Sequence, residues 1–522
     1  MSSPRPASRE AFSSRSVFIL AAIGSAVGLG NIWRYPYVAF QSGGGAFIVP
    51  YLVALLTAGI PLLFLDYALG HKYRASPPLA FRRVMRWAEP IGWMQVLMCF
   101  VIATFYSCVI AWASCYAFFS LTIAWGDDAE GFFASTFLQQ GDQTMFGGLV
   151  PGVAIPLVVV WAVSIGIVAL GIEKGIGSAN RILLPTLIIL FVGLVLRSLF
   201  LPGAMVGLDA FFTPQWGALL DPQVWIAAYG QIFFSLSVAF GAMLTYSSHL
   251  KRRTNLTGSG LVVAFSNSSF EVLAGIGVFA ALGFLATQSG VPVSEAAAGG
   301  PGLAFVAFPT LIGEMPFGEI FGAAFFISLV FAGITSLVSI IQPPSDAISE
   351  KFGIPTRTAT LLVGGAAAVV SLLLFPTTTG LNTLDVTDNW INNVVLVMNA
   401  FVMVVVVVWI ARVVPNLARH LNAVSSFNVG RGWWLCLGIV SPAILLFFGS
   451  QTIIDLIANG YNDLPGELIA VFGWGITGGL VVLAVALTLV PWRNENALTR
   501  ARDMDDESSE DDHHPDLQED PR

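Results

Sequence analysis

The chain has 522 residues, of which 56% are hydrophobic and only 11% charged, with a formal net charge of −8 and a mean hydropathy of +0.77. A soluble domain carries roughly 25% charged residues, so this composition excludes an ordinary water-soluble globule and offers no basic surface for nucleic acid. The expected partners are a lipid bilayer and small molecules.

Residues 1–15 are polar and are expected to form a cytoplasmic N-terminal segment. They do not read as a cleaved signal, because the apolar segment that follows is long and has no obvious cleavage site. Apolar segments follow near 16–40, 46–70, 91–125, 149–170, 179–200, 222–248, 260–287, 317–348, 358–376, 385–412, 432–456 and 467–492. A helix needs about 20 apolar residues to cross the hydrocarbon, so these read as about twelve spans of an all-α membrane protein. The four cysteines, Cys99, Cys108, Cys115 and Cys436, fall within those spans. They read as packing residues and not as a disulfide framework or a CxxC metal site.

Basic residues set the expected orientation. Lys72, Arg74, Arg82, Arg83 and Arg86 follow the second span, Lys174 and Arg181 the fourth, Lys251, Arg252 and Arg253 the sixth, Lys351 and Arg357 the eighth. The alternate loops 126–148, 288–316, 377–384 and 457–466 contain no Lys or Arg. Lysine- and arginine-rich loops face the cytoplasm, so both termini are expected inside, in a plasma-membrane protein. Arg34 and Arg197 fall outside this pattern. The tail DMDDESSEDDHH, Asp503 to His514, supplies much of the negative charge and reads as a solvated segment.

Two spans are interrupted. AIGSAVGLGNIWRYP, Ala22 to Pro36, puts three glycines, an asparagine and an arginine inside the first; SLSVAFG, Ser235 to Gly241, puts two serines and a glycine inside the sixth. Lipid forbids unsatisfied backbone unless it lines a cavity, and paired interruptions of this kind point to a transporter's substrate site. The two are five spans apart, which suits two five-helix repeats of opposite topology. The domain reading is therefore a first repeat at 16–200, a second at 222–412, peripheral spans eleven and twelve at 432–492, and an acidic cytoplasmic tail at 493–522. Where a helix unwinds, bared carbonyls can hold a hard cation, and the N-terminus of the resuming half favours a carboxylate.

GSAVGLGNIWRYPYVAFQSGGGAFIVPY (Gly24 to Tyr51), GQIFFSLSVAFGAMLTY (Gly230 to Tyr246) and FAGITSLVSIIQP (Phe331 to Pro343) resemble the first, sixth and eighth spans of neurotransmitter:sodium symporters. The resemblance covers spans one to ten. It implies a LeuT-like core of 5+5 inverted repeats with discontinuous helices 1 and 6, and sodium-coupled import of an amino acid by alternating access. It also implies two sodium sites. The first would use Ala26, Asn31, Ser235 and Asn267 together with the substrate carboxylate. The second would use Gly24, Val27, Ala332, Thr335 and Ser336. Ala332, Thr335 and Ser336 stand at i, i+3 and i+4, one helical face.

The same resemblance places the substrate among Ala26, Leu29, Gly30, Ile102, Tyr106, Phe234, Ser235, Ser237, Phe240 and Ile340. Tyr106 would donate to its carboxylate. The large apolar members imply an apolar side chain, since an unmatched buried polar group costs about 1–3 kcal/mol. Gly28 stands where amine carriers of the family have aspartate, which favours amino acids over amines. The resemblance pairs Arg34 with Asp385 as an outer gate, with Asp388 as the substitute, and Arg9 with Glu350 as an inner gate; Phe12 stands where a tryptophan is usual.

Glu271 lies four residues after Asn267 inside the seventh span, and an intramembrane carboxylate is functional by default. Chloride-dependent relatives carry serine there, so the resemblance implies a chloride-independent protein with Glu271 as its fixed anion and a returning proton carrier. The chain has no HExxH, P-loop or GxSxG pattern, and its five histidines lie near or beyond span ends, so an enzyme is not expected. The alternatives left open are a carrier of another small carboxylate-bearing solute, such as an osmolyte, or a non-transporting amino-acid sensor. Either a monomer or a homodimer is compatible with the sequence.

Overall fold

The computed structural model describes residues 10–141, 146–296, 300–493 and Leu498. The acidic run Asp503 to His514 and the gate residue Arg9 lie outside them. The described chain is helical, its only β-pairing being two isolated bridges.

Among the described residues, ten unbroken helices are long and apolar enough to cross a membrane: Gly45–Tyr73, Arg86–Ser120, Pro151–Ala169, Ile172–Leu199, Leu256–Ser289, Gly318–Phe352, Thr356–Leu374, Gly380–Ile410, Arg431–Asn459 and Gly466–Leu489. The two remaining spans are broken, the first into Arg15–Ala26 and Leu29–Gln41, the sixth into Pro222–Ser235 and Ala242–Ser248. Spans are numbered one to twelve below in chain order.

The third and eighth spans are the longest at 35 residues each; at 1.5 Å per residue each runs about 52 Å, well beyond the hydrocarbon thickness of roughly 30 Å. They pack against one another more extensively than any other pair. With the second and seventh spans they form the buried centre, while the fourth, fifth, ninth and twelfth turn mostly apolar, exposed faces outward. That pattern is what lipid-facing helices require.

Local sequence explains both breaks. Helix Arg15–Ala26 starts at Ser14, whose hydroxyl accepts from the Val17 amide, and ends where Val27 turns extended. The halves meet at 54°. The second half starts at Gly28, whose amide donates to the Asn31 side chain at 3.0 Å, so Asn31 caps its own helix. Gly30 is required by close approach, since a Cβ there would lie 2.1 Å from the Phe234 ring.

In the sixth span, three left-handed residues, Ser237 (φ 50), Ala239 (φ 57) and Gly241 (φ 93), unwind the chain between Ser235 and Ala242. Only Gly241 takes this conformation without strain. The other two cost of order 1–3 kcal/mol each, and surrounding structure must hold them. Asp66 of the second span does so, its carboxylate accepting from the Ala239 amide at 2.9 Å.

One face collects the basic loops. There Glu89 is fully buried and accepts from Lys351 Nζ (2.9 Å), Arg82 (2.5 Å) and the indoles of Trp93 and Trp492 (3.0 Å each). This cluster ties the start of the third span to the ends of the eighth and twelfth. It is called the basic face below.

Candidate functional site

The first-span break packs against the eighth span. The Ser336 hydroxyl lies 3.2 Å from the Gly24 carbonyl, 3.4 Å from Ser25 and 3.5 Å from Val27. A hydroxyl has one proton to give, so this is a point where backbone oxygens converge with fewer donors than lone pairs. The Thr335 hydroxyl adjoins, donating back to Phe331 and Ala332 carbonyls of its own helix at 3.0 Å. Gly24, Val27, Ala332, Thr335 and Ser336 thus come together as an oxygen-only set, the donor chemistry that suits a hard cation.

The second cluster joins the same break to the sixth and seventh spans. Asn31 Nδ2 donates to Asn267 Oδ1 at 2.8 Å, and Asn267 Nδ2 donates to the Ser235 hydroxyl at 3.1 Å. All three residues are buried. One helical turn from Asn267, the Glu271 carboxylate is 0% exposed; it accepts from Gln231 Nε2 at 2.6 Å and from the Tyr51 hydroxyl. Glu271, Tyr51, Gln231 and Ser268 therefore form a buried polar cluster one helical turn from the asparagine pair.

Between the breaks lies a cavity with about 580 Å³ of empty space, counted out to its mouth. Ala26, Leu29, Gly30, Ile102, Tyr106, Phe234, Ser237, Phe240 and Ile340 all line it. Part of the lining is polar. The Leu29 amide donates to the Tyr106 oxygen at 3.2 Å, and the Ser336 hydroxyl adjoins the same oxygen, beside the first-turn amides of Leu29–Gln41. The apolar part of the lining includes Ile102, Phe234, Phe240 and Ile340. Ser235 is not on the wall; its hydroxyl faces Asn267 instead.

The gates differ from expectation. Arg34 makes no ion pair within 4.0 Å among the described residues; its guanidinium lies over the Phe234 ring, 4.8 Å from the centroid. The expected Arg34–Asp385 pair is not formed. Asp385 accepts from Tyr461 at 3.1 Å and Asn462 at 3.0 Å, in the loop before the twelfth span. Asp388, one turn further, lines the cavity with Asn392, whose amide it holds at 2.8 Å. The physical reason is rotation: three residues along a helix carry a side chain through most of a turn and advance it along the axis, and only the tertiary setting decides which acid faces in. On the basic face Glu350 accepts from the Ser76 amide (3.0 Å) and hydroxyl (2.5 Å), while its expected partner Arg9 lies outside the described residues. Phe12 is buried against Phe18 and Tyr246, edge to face.

Sequence reasoning passed over Asp66 and Asn392, and gave Asp388 only as the substitute for Asp385. Asp66 carried the same signal as Glu271, a lone carboxylate within an apolar span.

Comparison with known proteins places these features. The model of the Sodium:neurotransmitter symporter family matches residues 9–136 and 126–495. A protein of Methanocaldococcus jannaschii named as an uncharacterized sodium-dependent transporter is 38% identical over 481 residues, 92% of this chain and 97% of that one. The sodium- and chloride-dependent GABA transporter 2 of Homo sapiens is 32% identical over 392 residues, 68% of this chain and 65% of that one. Among solved structures, MhsT in complex with L-phenylalanine superposes with a TM-score of 0.72 at 31% identity, covering 85% of this chain and all (100%) of that one.

Proposed function

The chain belongs to the sodium:neurotransmitter symporter family, as a multi-pass, sodium-dependent symporter, and from that premise we propose that it imports an apolar amino acid by alternating access without a chloride requirement. The observation that carries the substrate reading is the cavity's mixed lining: the Tyr106 hydroxyl with the backbone at Leu29 and Gly30, together with the apolar side chains of Ile102, Phe234, Phe240 and Ile340. A carboxylate suits the first and a hydrocarbon or aromatic side chain the second. MhsT, whose solved structure holds L-phenylalanine, supports the same class.

Two sodium ions are co-substrates in this reading. One enters among Ala26, Asn31, Ser235 and Asn267, displacing the Asn31–Asn267 and Asn267–Ser235 hydrogen bonds there and meeting the substrate carboxylate. The other enters among Gly24, Val27, Ala332, Thr335 and Ser336. Each ion moved across 100 mV yields about 2.3 kcal/mol, and a tenfold gradient adds about 1.4. One ion therefore suffices to concentrate substrate roughly 500-fold. Glu271 supplies the fixed negative charge that makes chloride unnecessary. The basic face is cytoplasmic in this reading, both termini lie inside, and the membrane is the plasma membrane. The basic face is closed by Phe12 and its neighbours, whereas Arg34 and Asp388 stand apart at the opposite mouth, as an outward-facing state requires.

A second reading has one observation in its favour. Asp388 and Asn392 give the cavity a polar wall from the tenth span, which suits a carboxylate-bearing solute with a distal cationic group. Uptake of radiolabelled apolar amino acids into proteoliposomes under an inward sodium gradient tests the first reading. Uptake confined to amino-carboxylate osmolytes would favour the second, and sodium-dependent binding without counterflow would mark a sensor.

A further inference from the structure

The fifth span, Ile172–Leu199, takes no part in the oxygen and amide clusters described above, yet one of its side chains reaches the first-span break. Asn180 lies about two turns into that span and is 0% exposed. Its side-chain nitrogen donates to the Ile176 carbonyl, one turn back on the same helix, at 2.9 Å. A carbonyl can only accept, so the nitrogen must face Ile176 and the oxygen must face the other way. That oxygen, Oδ1, is buried and has no hydrogen-bond partner among the described residues.

What it faces is Gly24. A Cβ built on Gly24 would lie 2.1 Å from Asn180 Oδ1 and 3.2 Å from Thr335 Cβ. The Asn180 oxygen therefore takes the space that any other residue at this position would fill with its first side-chain carbon. All that the protein offers it there is a Cα–H of Gly24, a weak donor. A buried acceptor without a proper partner carries its full desolvation penalty, and native proteins keep few such groups.

Gly24 and Thr335 belong to the oxygen set at the eighth span, where the Gly24 carbonyl lies 3.2 Å from the Ser336 hydroxyl. Cα–Cβ bonds tilt toward the N-terminus of a helix. The helix that carries Gly24 starts at the basic face, where Lys251 Nζ donates to the Ser13 carbonyl at 2.6 Å. Asn180 thus approaches Gly24 from the basic-face side, while the Gly24 carbonyl points the other way along the helix, toward Ser336. Hard cations such as Ca²⁺ and Mg²⁺ gather six or more oxygens, waters included. Gly24, Val27, Ala332, Thr335 and Ser336 give one each, all from the first and eighth spans. The fifth span adds an oxygen from a third direction.

We propose that Asn180 is a further ligand of this sodium site, its Oδ1 holding the ion, directly or through one water, from the basic-face side. This rests on the reading of Gly24, Val27, Ala332, Thr335 and Ser336 as a sodium site.

Sodium binding without amino acid tests it. The first sodium site needs the substrate carboxylate, so with no substrate present the response to sodium belongs to the second. Variants of the full-length protein separate an oxygen ligand from a structural amide. Asn180→Leu, of similar size, and Asn180→Ala lose both the oxygen and the donor to Ile176. Asn180→Asp keeps an oxygen and loses only the donor. In detergent, with potassium exchanged for sodium at constant ionic strength, binding of radiolabelled sodium and the thermal unfolding midpoint both give the half-saturating sodium concentration. Asn180→Leu and Asn180→Ala should raise it roughly tenfold or more, the worth of one contact to a charged group. Asn180→Asp should match the parent or bind sodium more tightly. If all the variants weaken sodium binding alike, Asn180 is only a brace for the Ile176 carbonyl, which overturns the assignment. Parent-like sodium binding by Asn180→Leu or Asn180→Ala overturns it equally. A parent protein that does not distinguish sodium from potassium would overturn the sodium site itself, and Asn180 as its ligand with it. Amino-acid binding at saturating sodium shows which variants are folded, and either Asn180→Leu or Asn180→Ala suffices for the comparison with Asn180→Asp.

Discussion

Replacing Glu271 by serine removes the negative charge next to the asparagine pair while keeping a small hydroxyl. Asn267 and Glu271 are one helical turn apart, so their Cβ atoms lie about 5–6 Å from one another. A sodium ion held by Asn267 is at a similar distance from the carboxylate. At 6 Å and an effective dielectric of about 20, that attraction is about 3 kcal/mol, or roughly a hundredfold in sodium affinity. The variant also frees Tyr51 and Gln231, which donate to Glu271, leaving two aimed donors around the vacated space. Those donors, with the introduced hydroxyl, suit a halide. In proteoliposomes, Glu271→Ser should lose nearly all sodium-driven uptake in gluconate and recover a large part of it in chloride, while the parent protein is indifferent to the anion. Full uptake by the variant in gluconate, or no response to chloride, refutes the assignment of Glu271 as the fixed anion.

Tyr106→Phe removes a hydroxyl that lines the cavity beside the Leu29 amide; a hydrogen bond to a charged group is worth about 1.5–3 kcal/mol, so amino-acid binding should weaken roughly ten- to a hundredfold by equilibrium radioligand titration, with sodium dependence kept. Glu89→Gln leaves Lys351, 0% exposed, without its counter-charge, which should cost about 3–5 kcal/mol and lower the unfolding midpoint in detergent; replacing both residues by apolar ones of similar size should recover most of the loss. His420, on the Val414–Val424 helix outside the spans, is pushed down to about 3 by burial and by the neighbouring His71, Lys72 and Arg74. The folded state therefore resists a proton that the unfolded chain accepts near pH 6.5. Stability is full above that pH and falls as pH drops toward 3, by about 2 kcal/mol at pH 5. His420→Gln should remove this loss between pH 7 and 5 in thermal unfolding.

The two broken helices were legible because glycines, an asparagine and serines are out of place in hydrocarbon, and the chain carries them five spans apart. Nine of the ten residues expected around the substrate line the cavity for the same reason: they sit on or face those breaks. What the sequence could not show depends on which way a helix turns or on which distant ends meet. Asp385 and Asp388 are indistinguishable as letters, and only packing against Tyr461 and Asn462 takes Asp385 out of the gate. Ser235 reads as a substrate contact until the seventh span places Asn267 beside it. Glu89 finds Lys351 and Trp492 across hundreds of residues, and His249 finds Asp346 across 97; no local pattern announces either meeting. Asp66 is a different case, because the rule applied to Glu271 would have found it.

The central claim is that two interrupted helices hold sodium against the carboxylate of an apolar amino acid. Calorimetric titration of the purified protein with such amino acids, in sodium and then in potassium at equal ionic strength, tests it most directly. Saturable binding in sodium that vanishes in potassium, and that Ser336→Ala and Asn267→Ala each weaken strongly, is the predicted result. Equal affinity in both salts, or no heat with any apolar amino acid in sodium, would contradict it.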